Sequence, residues 1–265
     1  IPNSNTFTYL DNSYQNLVQK SAAKNWSEEI LLSKNDLQSA LSSKFPNDQI
    51  TLNSFPFDYK WKDENSISFN VQTKQNQYRV IYNVKNKSIS NAILADTKGT
   101  NQEYSADLSK VAYLIANNIV IKDNQGQSTS VTSDTLEGIV NGSDYTHRQE
   151  FGINKGMWWN NQNDKLLYYR KDETMVTKYP LVQWGARVAS VKDIYYPMAG
   201  MKSEEVTLII FDTKTNKKIT LATGEPKEQF LTSVTWDPSG AYVYVGVLNR
   251  EQNHLKLNKY NVQDG

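Results

Sequence analysis

Residues 234–247, VTWDPSGAYVYVGV, contain the clearest sign of the fold in this sequence. Trp236 stands before the turn DPSG, residues 237–240, and Val243 and Val245 follow at alternate positions. Turn residues of this kind join antiparallel strands, and alternate residues of a strand face opposite sides of a sheet. The stretch therefore predicts an aromatic anchor, a tight turn and a strand with one face in a core.

The same pattern occurs three more times in the chain. The copies are YKWKDENSISFNV, anchored at Trp61, EYSADLSKVAYLI, anchored at Tyr104, and MWWNNQNDKLLYY, anchored at Trp159. NTFTYLDNSYQNLV, near the start of the chain, is a degenerate fifth copy. The anchors lie about 40 to 80 residues apart, and a period of roughly 40–50 residues with several short strands is typical of a β-propeller blade.

Second hairpins, with turn signals around Asn86, Asn124 and Asn216, lie between the anchors. A blade is therefore expected to contain two hairpins, or four antiparallel strands, and the chain to contain about four to five blades. The predicted fold class is all-β; a β-sandwich with coincidental tryptophans is the alternative. An open ring leaves two terminal faces bare, so we expect either a small closed ring or part of a larger one. The chain stops at LNKYNVQDG, where the last strand of a blade is expected, and this favours the larger ring.

Composition narrows the possible functions. The chain has 29 basic and 28 acidic residues, so its charge gives no reason to expect nucleic acid or an anionic membrane as a partner. Cysteine is absent, which excludes disulfides, zinc–thiolate sites and cysteine nucleophiles and suits an exported bacterial protein. No apolar run approaches the roughly 20 residues of a membrane span. Only residues 27–45, SEEILLSKNDLQSALSSKF, have a partly helical pattern.

A run of motifs resembles the dipeptidyl peptidase IV family of serine peptidases, within their N-terminal propeller. The first is residues 138–182, GIVNGSDYTHRQEFGINKGMWWNNQNDKLLYYRKDETMVTKYPLV, which includes DETMV at 172–176. YPMAG at 196–200, VTLIIFD at 206–212 and LNREQNHLKL at 248–257 follow in the family's order. The resemblance extends from about residue 55 onward, and five motifs in order make it specific.

This resemblance implies an eight-bladed propeller that lies over a C-terminal α/β-hydrolase domain, in a periplasmic or secreted enzyme that removes N-terminal dipeptides. Residues 1–265 would be part of that propeller. The chain has no Gly-x-Ser-x-Gly stretch, and its histidines are His147 and His254 alone. We therefore expect no Ser-His-Asp triad within it, no cofactor and no metal site. The catalytic domain would lie beyond Gly265.

Family members carry two carboxylates just ahead of the Phe that precedes the Trp-Trp strand, and this pair holds the substrate's N-terminal ammonium. Aligned by the Glu-Phe edge, the pair falls on Gln149 and Glu150, so only Glu150 keeps a charge. A register shifted by one residue would place it on Arg148 and Gln149 and leave no carboxylate. An ordinary solvated Glu150 is the other interpretation. His147 and Glu150 have a metal-ligand spacing but lack a second ligand pair nearby.

Two other segments bear on function. The stretch from Arg170 to Tyr196 is too long for a simple blade loop, and the corresponding family segment contributes to dimer contacts, so we expect a homodimer. Asn249 and Arg250 follow a strand and are predicted to hold a turn.

Two other functions remain open: a stand-alone propeller that binds protein or glycan through a degenerate site, and an independent hydrolase that uses its own carboxylates.

Overall fold

A computed structural model describes residues 1–96 and 98–265. These residues fall into two compact units. The first is made of residues 1–96, 107–111 and 123–127, and the second of the other described residues. Strands dominate both units. Within the described residues, no helix is both long and apolar enough to cross a membrane.

The first unit contains two antiparallel sheets. Sheet 1 has the order β1-β2-β3, and sheet 2 the order β4-β5-β6-β7. Their strands are β1 (Thr6–Leu10), β2 (Asn16–Ser21), β3 (Glu28–Ser33), β4 (Lys60–Asp63), β5 (Ser66–Gln72), β6 (Gln77–Asn83) and β7 (Ser88–Leu94). A short 3-10 helix, Ala22–Lys24, follows β2, and the helix α1 (Lys34–Lys44) follows β3.

The helix α1 begins with a reciprocal cap. The Ser33 hydroxyl accepts a hydrogen bond from the backbone N–H of Asp36, and the Asp36 carboxylate accepts one from the backbone N–H of Ser33. Such a capping box satisfies two backbone donors at a helix start. Leu37 and Leu41, one turn apart, then pack into the core of the unit with Phe55. The predicted helix is thus confirmed over residues 34–44, whereas residues 28–33 form a strand because they pair with β2.

Most of the second unit consists of three sheets. Sheet 3 has the order β11-β10-β9-β8, sheet 4 the order β12-β14-β17-β18 with β13 also paired to β14, and sheet 5 the order β19-β20-β21. Their strands are β8 (Thr100–Tyr104), β9 (Lys110–Ile115), β10 (Asn118–Asp123), β11 (Ser128–Ser130), β12 (Ile139–Asn141), β13 (Met157–Trp159), β14 (Lys165–Asp172), β17 (Glu205–Asp212), β18 (Lys218–Thr220), β19 (Gln229–Trp236), β20 (Tyr242–Asn249) and β21 (Leu255–Asn261). The strands β15 (Lys178–Gln183) and β16 (Ser190–Tyr195) form a separate hairpin.

The two faces of β14 enter two different cores. Leu167 and Tyr169 pack with residues of sheet 5, whereas Leu166 and Tyr168 pack with residues of sheet 3. Alternate residues of a strand face opposite sides of its sheet, so sheet 4 is covered on both faces. Sheets 3, 4 and 5 therefore stack face to face in chain order, as propeller blades do. The all-β, blade-like prediction is confirmed.

Three tryptophan anchors each donate a hydrogen bond to the sheet that precedes their own. The indole N–H of Trp61 donates to the Thr8 hydroxyl at 2.9 Å, and that of Trp159 donates to the Glu103 carbonyl at 2.9 Å. The Trp236 indole donates to the carbonyl of Trp158 at 3.1 Å. A buried indole N–H usually needs an acceptor, and here the acceptor lies on the neighbouring sheet.

The predicted hairpins are present, with some variation in strand number. The second hairpins turn at residues 84–87, 124–127 and 213–217, where the sequence signals placed them. Among the described strands, sheets 2 and 3 have four strands each, sheets 1 and 5 have three, and sheet 4 has five. Five sheets agree with the prediction of four to five blades, although four strands per blade holds for only two of them.

Candidate functional site

The predicted site residues lie on a one-turn helix that sequence patterns do not reveal. This helix, α2 (Arg148–Phe151), lies between β12 and β13 and ends at Gly152, whose φ of 66° suits glycine. The Gly152 N–H closes the turn on the Arg148 carbonyl at 2.9 Å. Gln149 and Glu150, in the middle of the turn, are both exposed.

His147, which precedes α2, attaches the helix to sheet 5. Its side chain is only 1% exposed, and its ring lies edge-on to Phe151, Tyr169 and Phe230. The backbone N–H of Leu231 donates to Nε2 at 3.4 Å. Burial lowers the pKa of His147 to about 4, so the ring is neutral at pH 7. Because Nε2 accepts a hydrogen bond, the proton of the neutral ring lies on Nδ1. His147 is thus a packed core residue.

Arg148 is directed to a carboxylate other than that of Glu150. It forms an ion pair with Asp144, four residues earlier, and its guanidinium lies 4.7 Å from the centre of the Tyr145 ring. Among the described residues, Glu150 has no ion-pair partner. The Glu150 charge is therefore not neutralised within the chain. The Gln149 amide donates weakly to the Tyr145 hydroxyl at 3.4 Å, which leaves its carbonyl oxygen free to accept.

Glu150 and Gln149 line a cavity of about 650 Å³ in the second unit. Its wall comes from the α2 segment, the end of β14, the base of the β15–β16 hairpin and sheet 5. Besides the two α2 residues, the wall includes Lys171, Glu173, Tyr195, Tyr196, Glu204 and Arg250. A cavity of this size suits a small ligand or the end of a peptide.

The charged groups of the wall differ in how they are paired. Lys171 and Glu173 form an ion pair at 2.7 Å. Arg250 donates to the Ser203 hydroxyl at 2.8 Å and lies 5.6 Å from the centre of the Phe230 ring. Arg250 lies in the turn after β20, as predicted, but its side chain lines the cavity and contacts Ser203 instead of holding the turn. The turn is held by Asn249, whose Oδ1 accepts from two backbone N–H groups at the other end of the loop.

The β15–β16 hairpin is exposed except at the end of β16, where Ile194 and Tyr195 are half-buried. Trp184 at its tip is 83% exposed, and Val188 is 80% exposed. Tyr195 and Tyr196 at its base reach the cavity. The long segment predicted to leave the blade is thus a two-stranded arm with an apolar tip.

A comparison with protein families identifies the family of this chain. Residues 62–265 match the family described as the dipeptidyl peptidase IV (DPP IV) N-terminal region. The chain belongs to this family. The match begins close to residue 55, from which the motif resemblance extends, and the predicted family is confirmed.

Similar proteins of the dipeptidyl peptidase IV type are much longer than this chain. Proteins named "Probable dipeptidyl-aminopeptidase B" from Phaeosphaeria nodorum and Podospora anserina are 25% and 24% identical over 58% of this chain. The aligned part is 19% and 18% of their own lengths. The aligned part of the chain therefore spans about a fifth of the length of these curated relatives.

Solved structures agree with the blade-like fold. The crystal structure of a candidate dipeptidyl aminopeptidase IV from Bacteroides ovatus is 31% identical, with a TM-score of 0.79, over 99% of this chain and 35% of that one. Porphyromonas gingivalis dipeptidyl peptidase 4, at 18% identity, has a TM-score of 0.64 over 98% of this chain and 37% of its own; this second likeness shows the fold alone.

Proposed function

We propose that this chain is the substrate-gating propeller region of a dipeptidyl peptidase IV-like serine exopeptidase, and that Glu150 and Gln149 anchor the substrate amine. One observation carries the proposal: Glu150 is an exposed carboxylate on the wall of a cavity, without an ionic partner among the described residues. The family and the named relatives support the reaction class, the removal of N-terminal dipeptides. This reaction requires recognition of a free amine, which a carboxylate can provide.

The charge of the amine explains why a carboxylate at this position matters. An α-amino group has a pKa of about 7.7–8.0, so it is largely cationic at pH 7. A charge pair at 4 Å is worth about 1 kcal/mol in water and about 4 kcal/mol at an effective dielectric of 20. Glu150 would supply one such pair, and the free carbonyl oxygen of Gln149 would add a hydrogen bond. Selectivity for a free amine then depends on the charge of Glu150.

The catalytic serine, histidine and aspartate would come from a C-terminal α/β-hydrolase domain of the parent protein. The two named relatives and the Bacteroides ovatus protein are roughly three to four times as long as this chain, which is compatible with such a domain. Further blades of the propeller also have a surface to pack on, because Leu255 and Leu257 on β21 are 61% and 70% exposed. In this proposal, residues 1–265 are part of a larger propeller.

The arm of β15 and β16 is proposed to contact a second copy of the protein. Its apolar tip residues, Trp184 and Val188, are among the most exposed large hydrophobic side chains, and aromatic residues are enriched at protein interfaces.

We place the protein in the periplasm or outside the cell, where peptides are available as substrates. A signal peptide encoded ahead of Ile1 would support that location, and a gene without one would contradict it.

A stand-alone propeller that binds protein or glycan is the second candidate. The feature in its favour is Gln149. In the register set by the Glu-Phe edge, the resemblance implies a carboxylate at this position, and its replacement by an amide would suit a site that has lost its peptidase role. The two functions separate on whether the reading frame continues past Gly265 into a Gly-x-Ser-x-Gly hydrolase domain.

The proposed function is tested by Glu150→Gln in the full-length gene product. The measured quantity is the free-amine preference, defined as kcat/KM for a dipeptide anilide with a free amine divided by that for its N-acetylated form. We expect this preference to fall by about tenfold or more, because one charge pair is lost. Glu64→Gln, an exposed glutamate of the first unit, is the control and should leave it unchanged. An unchanged preference in Glu150→Gln would remove the amine-anchor role.

A further inference from the structure

Glu150 is not the only carboxylate on the wall of the cavity. Three carboxylates, on Glu150, Glu173 and Glu204, face two cations, on Lys171 and Arg250, so the wall carries one net negative charge. Lys171 and Glu173 neutralise each other at 2.7 Å. The charges that can act on a ligand are therefore those of Glu150, Glu204 and Arg250.

Glu204 is held in place without being neutralised. One carboxylate oxygen accepts a hydrogen bond from the Ser203 hydroxyl at 2.9 Å, and that hydroxyl accepts one from Arg250 at 2.8 Å. Ser203 is only 2% exposed, so this chain of contacts is fixed in the protein. Among the described residues, no cation lies within ion-pair distance of Glu204.

Glu204 lines the same cavity as Thr146 and Glu150, which lie on either side of the start of α2. Burial lowers the pKa of His147, and the nearby carboxylate of Glu204 opposes this shift. His147 is the residue before α2, and its Nδ1 has no hydrogen-bond partner among the described residues. A buried ring N–H without a partner is rare, and here the charges that act on it, Glu204 and Lys171, both belong to the cavity wall.

We infer that Glu204 supplies the second carboxylate for the substrate amine and so compensates for Gln149. An ammonium group between Glu150 and Glu204 would face two carboxylates from different segments, α2 and the residue before β17. It would also balance the net negative charge of the wall. Ser203 and Arg250 position Glu204. This inference rests on the proposed function and adds a specificity-determining residue to it.

The experiment compares Glu204→Gln with Glu205→Gln in the full-length gene product. Glu205 is the neighbouring residue on β17 and does not line the cavity, so it is a matched control. We expect Glu204→Gln to lower the free-amine preference by about tenfold, with kcat/KM for the acetylated substrate unchanged. Glu205→Gln should behave as the wild type. A loss of rate on both substrates would instead indicate a structural role and overturn the inference.

The two proposals fail in different ways. If the wild type has no free-amine preference, the proposed function fails, and the inference fails with it. If Glu150→Gln loses the preference while Glu204→Gln keeps it, the proposed function stands and the inference is wrong.

A second variant leaves Glu204 intact and so does not depend on how Glu204→Gln folds. Gln149→Glu in the otherwise wild-type protein adds a carboxylate at the family position. If Glu204 already serves as the second carboxylate, the free-amine preference should rise by less than about threefold. A rise of about tenfold or more would show that the wild-type site has a single carboxylate and would overturn the inference.

Discussion

At the scale of single residues, the polar positions of one segment have different environments. Asp144 pairs with Arg148, His147 is packed among aromatic rings, and Glu150 is exposed on the cavity wall. Gln149 lies beside Glu150 with its carbonyl oxygen free. The polar cluster ahead of the Trp-Trp strand is thus divided into structural and ligand-facing side chains. The contacts of each side chain, rather than its residue type, decide whether it is structural or faces the ligand.

His147 makes stability depend on pH in a defined window. Its pKa is about 4 in the folded protein because of burial, against about 6.5 in an unfolded chain. Between these values the unfolded state binds the proton and the folded state does not, so stability falls as pH falls from about 6.5 to about 4. The difference corresponds to about 3 kcal/mol.

We expect the midpoint of thermal unfolding to fall more steeply from pH 6.5 to pH 4 in the wild type than in His147→Phe. The comparison between the two proteins removes the effect of carboxylates that titrate in the same window. Parallel curves would contradict the buried, neutral state of His147.

At the scale of elements, sequence patterns predicted hairpins better than they predicted the site. The alternation around Val243 and Val245 and the turn at residues 237–240 specify β19–β20 locally, and β19 and β20 pair as expected. The helix α2 has a single turn, which is too short for any helical period to appear in the sequence. Glu204 and Arg250 reach the cavity only through tertiary packing, so no local pattern could place them there.

The anchors illustrate the same division between local and tertiary information. The sequence predicts that Trp61, Trp159 and Trp236 begin a repeated unit. The acceptor of each indole N–H belongs to the preceding sheet, and therefore it depends on how sheets stack. A repeated tryptophan is a local signal, but its hydrogen bond is a property of the assembled blades.

The arm of β15 and β16 provides a prediction at the same scale. Val182 and Val191 face each other across the hairpin, and Trp184 and Val188 extend from its tip. If the arm holds two copies of the protein together, the double change Trp184→Ser with Val188→Ser should convert a dimer into a monomer in analytical ultracentrifugation. Lys192→Ser, an exposed polar change on the same arm, should leave the dimer intact. A dimer that survives the double change would exclude the arm as the contact.

At the scale of the whole molecule, the chain belongs to the family described as the dipeptidyl peptidase IV N-terminal region, and the named relatives are much longer than the chain. The family was recognisable from five short motifs because their order is preserved, even though identity to the curated relatives is about a quarter. The stacked sheets position α2, the arm and the loop after β20 around one cavity. If the proposed function is right, this cavity would face a catalytic serine of the hydrolase domain and would limit cleavage to two residues from the amine.

The most direct test of the account is a crystal structure of the full-length protein with a dipeptide product or inhibitor that has a free amine. We predict that the ammonium nitrogen lies within about 3 Å of a Glu150 carboxylate oxygen, the distance of a charge-assisted hydrogen bond. A bound ligand whose amine points into solvent, or lies away from α2, would contradict the account.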